Sequence, residues 1–415
     1  MPDPLVLVCG VDRAAVHATG EAMTATDPAT ALVVHDLRRL GEGVVTRSVR
    51  LPGDRWRTTA LELAHGCVSC TLREDLLPLL LRLAADETVG RVGLLLDPGM
   101  EPEPVCEALA HLVPDGAQGP VTDVLDIAGV VAVLDGATWL DDAGSDDALA
   151  DRELALTEDD DRTVAQIVVG HAEFADVLVV VGTPDPWDRV RRDAVLARLA
   201  PQARRLDASS AAAVPDATPL LAELHPDARR GVPDDPHGPL LRGQPPLARD
   251  VGVSLLHVGL RTPFHPQRLH EAFDVLLTGT VRARGRVWVA SRPDQALWIE
   301  SAGGGLQVGM AGRWLVSAGD EAWEAVDAER RAAASLRWDE RWGDREQQLV
   351  ILVHDAEPAE VIAALDLALL TEEELALGEE AWRHFDDPFG TAHTDPCDEL
   401  DGPGTRIDQT RGEQS

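Results

Sequence analysis

The sequence predicts an α/β protein: a parallel sheet with helices on both faces, followed by a smaller α+β domain. Short, continuous apolar runs alternate with helical patterns from residue 1 to about 184, and several of these runs stop sharply at Gly or Asp. Runs of this kind between helices mark strands buried on both faces. From Val251 the pattern changes to alternating strands interspersed with helices.

Leu5-Val6-Leu7-Val8 reads as the first buried strand, followed by Cys9-Gly10 and a helix, and Ala31-Leu32-Val33-Val34 as the second. Leu76 to Ala85 reads as a Leu-rich helix, with Pro78 tolerated because it falls in the first turn. Val92 to Leu96 before Asp97-Pro98-Gly99, Val130 to Leu134 before Asp135, and Val177 to Val181 before Gly182 are three further strands with abrupt ends. Ligands in such sheets bind beyond the carboxyl ends of the strands, where Gly10, Asp97 and Asp135 would lie. A helix around Val190 to Leu199 completes the first unit, and Val232 to Pro245 reads as a Pro/Gly-broken linker. The second unit comprises strands at Val251–Leu260, Val281–Ala290, Leu297–Glu300, Leu306–Val308 and Gln348–His354, with helices at Pro266–Leu277 and Pro358–Leu370. Residues after about 388 lack periodicity and read as a disordered acidic tail.

The 415 residues suffice for two domains with sizeable cores. No apolar run approaches the roughly 20 residues a membrane helix needs, so no membrane association is expected. Five cysteines are sparse and odd in number, which argues against a disulfide framework and for the cytoplasm. The net charge of -35 repels phosphate backbones, so direct nucleic-acid binding is not expected, and a basic protein partner or a divalent cation suits the surface better. The chain contains no Lys, Asn or Tyr, so no lysine is available for phosphates or a Schiff base.

The stretch His65-Gly66-Cys67-Val68-Ser69-Cys70 is the strongest chemical signal. Cys67 and Cys70 have the spacing that puts two thiolates on one tetrahedral ion, and His65 adds an imidazole. Zinc suits that donor set. No second C-x-x-C supplies a fourth ligand, so weak or transient zinc binding is the metal reading. Two buried structural thiols are the competing reading, and a redox pair is a third, without a thioredoxin-like context.

Three features resemble the CobW family of P-loop GTPases. They are Gly66-Cys67-Val68-Ser69-Cys70-Thr71-Leu72-Arg73-Glu74-Asp75-Leu76, then Glu173-Phe174-Ala175-Asp176 before a strand, and a set of C-terminal motifs. The last set includes Arg261-Thr262-Pro263-Phe264-His265-Pro266, Arg282-Ala283-Arg284-Gly285 and Trp338-Asp339-Glu340-Arg341-Trp342-Gly343. The resemblance implies a degenerate P-loop GTPase-like domain over 1–200, a linker over 201–250, a CobW C-terminal domain over 251–388 and the tail over 389–415. Asp161-Arg162-Thr163-Val164-Ala165-Gln166 and Asp235-Pro236-His237-Gly238-Pro239-Leu240-Leu241 are similar to an actinobacterial branch named for recruiting a ribosome hibernation factor under zinc limitation. What this implies is a zinc-linked adaptor whose partner is that factor or the ribosome. A GTP-dependent zinc metallochaperone and a zinc-buffering protein are the alternatives.

The nucleotide motifs depart from the family. A phosphate loop needs G-x-x-x-x-G-K-[ST]. Gly10 can be its first glycine, but Ala15, Val16 and His17 stand where Gly, Lys and Ser/Thr belong. The guanine-reading Asn-Lys-x-Asp is replaced in the region of Val181-Gly182-Thr183-Pro184. GTP and Mg²⁺ are therefore not expected as cofactors, and no catalytic residue is assigned. Asp97 and Glu101 are the carboxylates that could still hold a cation, although ordinary loop carboxylates are the simpler reading.

Overall fold

The computed structural model describes residues 3–63 and 66–389, with the side chains of 320–322 excepted. His65 and all of the acidic tail beyond Phe389 therefore lie outside the described residues. The first unit is built on β1 (Asp3–Cys9), α1 (Arg13–Thr26), β2 (Thr30–Asp36), β3 (Val44–Arg50) and β4 (Arg57–Glu62). A continuous helical run follows, formed by α2 (Val68–Thr71), a π turn (Leu72–Leu76) and α3 (Leu77–Ala84). Next come β5 (Arg91–Leu95), α4 (Pro102–His111), β6 (Leu125–Asp135), α5 (Trp139–Ala143), α6 (Val164–Phe174), β7 (Val177–Val181), α7 (Pro186–Leu199), β8 (Arg204–Ala208) and α8 (Thr218–Leu221).

These strands form one sheet in the order β4-β3-β2-β5-β1-β6-β7-β8. The pairs from β2 through β8 are parallel, and the β3–β4 hairpin extends the β2 edge antiparallel. Central strands such as β1 and β7 are buried almost throughout, as their unbroken apolar runs require. The hairpin was not legible in the sequence: β4 (RTTALE) is mostly exposed and offers no apolar alternation. β8 carries the sheet past residue 200 into the segment read as linker, because RRLDA is polar and mostly exposed.

The predicted Leu-rich helix starts earlier than Leu76, at Val68. Pro78 lacks an N–H and crowds the carbonyl four residues back. The π turn just ahead of it relieves this crowding, with Leu77 N–H reaching back to the Leu72 carbonyl. The cysteine motif thus forms the first turn of a helix rather than a loop ahead of one.

The second unit is a five-stranded antiparallel sheet, β12-β11-β10-β13-β9, formed by β9 (Ser254–Leu260), β10 (Thr280–Val287), β11 (Gln295–Ala302), β12 (Gly305–Arg313) and β13 (Gln347–Val353). Helices α9 (Pro266–Leu277) and α12 (Pro358–Ala368) cover one face around Phe264, Leu269, Phe273, Val361 and Leu365. Between them lie α10 (Leu315–Ala325) and α11 (Ala328–Leu336). The other sheet face meets α6 and α7 of the first unit.

That meeting face is charged. Arg282 and Arg284 on β10 both pair with Glu173 at the end of α6, at 2.9 and 3.2 Å. Arg282 also meets Glu300, and Arg284 meets Asp234 at 2.9 Å. Asp234 in turn binds Arg229 and Arg242. The segment read as a linker is therefore a strap seated on the interface, further held by Arg286 on the Pro236 carbonyl and His237 on the Ala311 carbonyl.

Removing one partner from a buried ion-pair network leaves uncompensated charge. We expect Glu173→Gln to lower unfolding stability by about 3–5 kcal/mol, measured from denaturant midpoints. A loss below about 1 kcal/mol, in the range of an exposed pair, would mean that the interface does not depend on Glu173.

Candidate functional site

The carboxyl edge of the parallel sheet is closed by the protein's own charges. The β1–α1 connection is only Gly10-Val11-Asp12. Gly10 has a φ of 155°, and a Cβ on it would lie 2.5 Å from the Val133 carbonyl oxygen and 3.1 Å from Val16. Its lack of a side chain lets α1 close tightly onto β6. Ala15, Val16 and His17 lie within the helix, the first two buried. Asp12 caps α1, its carboxylate accepting the Ala14 and Ala15 N–H groups at 2.8 and 3.2 Å.

Arg13 reaches from the first turn of α1 to Asp97, which follows β5, with contacts of 2.7 and 3.4 Å. Asp97 is buried and also accepts the backbone N–H of Leu37 at 3.0 Å and of Gly99 at 3.3 Å. A carboxylate considered for a cation is thus occupied by an arginine and two amides. Glu101 is similarly engaged: Arg162 binds it at 2.8 Å, together with Asp160 and the Gly99 carbonyl. Asp135 accepts the Ala137 and Thr138 N–H groups. The sequence reading missed Asp12 and Arg13. Their signal was an acid–base pair set directly after the first strand.

Cys67 and Cys70 occupy the first turn of α2, both partly exposed. Cys67 caps that helix, its sulfur accepting the Cys70 N–H at 3.2 Å. A Cβ on Gly66 would lie 2.2 Å from the Leu40 carbonyl oxygen, so only glycine allows the motif to press on the β2–β3 connection. That connection begins after Asp36 and contains Glu42, two oxygen donors held by Arg38 and Arg39. Arg38 holds the Asp36 carboxyl below its usual range. Two thiols side by side fit a zinc ion's preference, with imidazole or carboxylate completing the set. Among the described residues, no group of three or more His, Cys, Asp or Glu side chains is arranged to hold a metal.

Behind the cysteines, the π turn presents Asp75 to His35 on β2 at 2.7 Å and to Arg47 on β3. Burial alone would raise the Asp75 pKa. Bonds from His35 and the charge of Arg47 outweigh burial and lower it. The acid of the LREDL segment therefore pins the cysteine helix to two strands. A cleft of about 640 Å³ opens on the other side of this helix, between Val68, Leu72 and Arg73 and the α4 residues Val105, Ala108 and His111.

At the position of a guanine reader, Gly182 (φ 99°) leads through Thr183 and Pro184 to Asp185, which caps α7 by accepting the Trp187 N–H. In the Glu-Phe-Ala-Asp stretch, Glu173 holds the domain interface, and buried Asp176 accepts N–H groups from Val130 and Arg230.

The family described as "CobW/HypB/UreG, nucleotide-binding domain" matches residues 29–212, starting downstream of the Gly10–His17 segment. The "Cobalamin synthesis protein cobW C-terminal domain" matches residues 253–369. A protein of Mycobacterium tuberculosis named as a zinc chaperone is 43% identical over 409 residues, covering 96% of each chain. A Dictyostelium discoideum protein named "Zinc-regulated GTPase metalloprotein activator 1" is 27% identical, covering 79% of this chain and 70% of its own. A solved zinc-bound YjiA GTPase from E. coli is similar at 14% identity with a TM-score of 0.37, over 89% of this chain and all of its own.

His171 on α6 is fully buried and bonds the Met100 carbonyl at 2.8 Å, fixing the loop after Asp97. Burial pushes its pKa down to about 4. The unfolded chain, with an ordinary histidine near 6.5, then binds a proton that the folded chain refuses. The stability from neutral His171 is full above about pH 6.5 and lost as pH falls toward 4. Tm against pH should fall more steeply through this window in the wild type than in His171→Gln; parallel curves would refute the assignment.

Proposed function

The chain belongs to the CobW family, and we propose that it is a zinc-handling member whose nucleotide domain works as a scaffold rather than as a GTPase. The closed sheet edge carries this reading. Phosphates bind at helix N-termini through free N–H groups, a lysine and Mg²⁺. Here the Asp12 carboxylate takes two of those N–H groups and brings negative charge to the place a phosphate would need. Arg13 supplies the cation at Asp97 that a metal would otherwise provide. The missing Lys and Asn agree with this, as does a family match that begins only at residue 29.

Zinc is the proposed cargo, held by Cys67 and Cys70 with His65 as third ligand. Relatives named for zinc handling support zinc as the cargo. Two thiols and one imidazole, with no fourth protein ligand assigned among the described residues, favour loose, exchangeable binding. The output would be adaptor binding of a basic protein, a ribosome hibernation factor or the ribosome itself, in zinc-limited cells. The net charge of -35 is complementary to such a partner. A GTP-dependent metallochaperone is the second reading, favoured by the relative named as a zinc-regulated GTPase metalloprotein activator.

Titration with GTP and Mg²⁺, followed by phosphate-release assay, should show no tight binding and no release above the enzyme-free blank. Tight binding with turnover would establish the metallochaperone instead. In chelator competition, Cys67→Ser and Cys70→Ser should each weaken zinc binding at least about tenfold, since losing even an outer-shell partner of a metal ligand costs about that much. Unchanged affinity would remove the cysteines from the zinc site. A tagged pull-down should recover a basic ribosome-associated protein from zinc-limited cells. Its absence from both zinc-limited and zinc-replete cells would count against the adaptor role.

A further inference from the structure

Five arginines converge on one cavity in a chain whose net charge is -35. The cavity, of about 60 Å³, lies where the first unit, the strap and the C-terminal sheet meet. Arg198 comes from α7, Arg229 and Arg242 from the strap, and Arg282 and Arg284 from β10. Leu240, Leu255 and Leu352 supply apolar wall.

The carboxylates around this cavity are shared among the arginines, with Glu103 close to Arg229 and Asp250 close to Arg198. Glu173 is shared by Arg282 and Arg284, and Asp234 by Arg229, Arg242 and Arg284. Glu300 serves Arg282, and Asp176 accepts two backbone amides. Arg198 is 5% exposed, and its bonds run to the backbone carbonyls of Ala194 and Ala248, with no ion pair to a carboxylate among the described residues. Buried N–H groups of Arg198 (Nε), Arg229 (Nη1) and Arg282 (Nε) have no acceptor among the described residues. Gln202, also on the wall, has a buried side-chain oxygen without a donor. Its amide can equally be turned to present its NH₂.

Buried charges are normally paired, and buried donors normally bonded. Buried guanidinium N–H groups without acceptors, on arginines that line one half-enclosed space, are the chemistry that recognises a carboxylate or phosphate group. The space exceeds the roughly 10–15 Å³ needed for a single water, so it admits a group of several heavy atoms. We propose that this interdomain cavity binds the oxyanion group, phosphate or carboxylate, of a small metabolite. Because its donors come from both units and from the strap, the bound anion would tie the two units together and make their relative rigidity depend on ligand.

The test is thermal unfolding of the full chain with added inorganic phosphate or succinate, ionic strength being held constant with sodium chloride. A saturable Tm rise with either anion is expected, and the anion that gives it identifies the phosphate or carboxylate class. Gln202→Glu places a carboxylate at the arginines and should weaken the apparent affinity at least about tenfold, an effect of the size of a charge-assisted hydrogen bond. Arg198→Gln should do the same where it folds; Gln202→Glu decides the matter if it does not. The proposal is overturned if neither anion raises Tm beyond the chloride control, leaving a cavity for water only. It is also overturned if Gln202→Glu responds like wild type.

Discussion

The structure turns on the carboxylate of Glu173. It ends α6 in the first unit and meets two arginines of β10 in the second. Charges removed from water are tolerable only when paired and hydrogen-bonded, so the two sheets have little freedom to slide without stranding an arginine. Asp234 extends the same constraint to the strap, binding Arg229, Arg242 and Arg284 together. Such a network contributes specificity of docking more than net stability, because desolvation offsets much of the attraction. It gives the Glu-Phe-Ala-Asp stretch a structural meaning: Glu173 locks the neighbouring domain while Asp176 locks the strands beneath it.

Parts of this were legible and parts were not, for identifiable reasons. Strands β1, β5, β6 and β7 are buried on both faces, so their apolar runs could be read directly. Helix α9 follows its amphipathic pattern from Pro266 to Leu277, as expected. β10 was legible as a strand, but the role of its faces was not. An alternating Val-Arg-Ala-Arg-Gly-Arg-Val pattern ordinarily signals a solvated polar face, whereas here the arginines point into another domain. The strap misled in the opposite way: Pro and Gly interrupt its backbone, yet Asp234 and His237 fix it in place. The β3–β4 hairpin carries no apolar period because β4 is an edge strand with little burial.

The cysteine motif was visible as spacing, but its setting was not. Sequence alone placed a pair of thiols ahead of a helix. The fold makes them the helix's first turn, anchored behind by the π turn and Asp75. A π turn carries the helix past a proline and changes the phase of its faces, so which side chains face the strands depends on it. Asp75 lies inside that turn and bridges His35 and Arg47, tying the thiol-bearing end to the sheet.

The nucleotide edge and the cysteine motif share one mechanical connection. Asp97 accepts the Leu37 N–H, at the start of the β2–β3 connection, and Gly66 presses on Leu40 within that same connection. Arg13, bonded to Asp97, gives the connection a cationic partner supplied by the chain itself. On the scaffold reading proposed above, the thiols would keep one arrangement with no nucleotide cycle to release a bound zinc ion. Zinc exchange on such a site would be governed by the ligands' own affinity and by free zinc concentration. That is the behaviour a sensor of zinc supply requires, and it differs from that of a chaperone driven by hydrolysis.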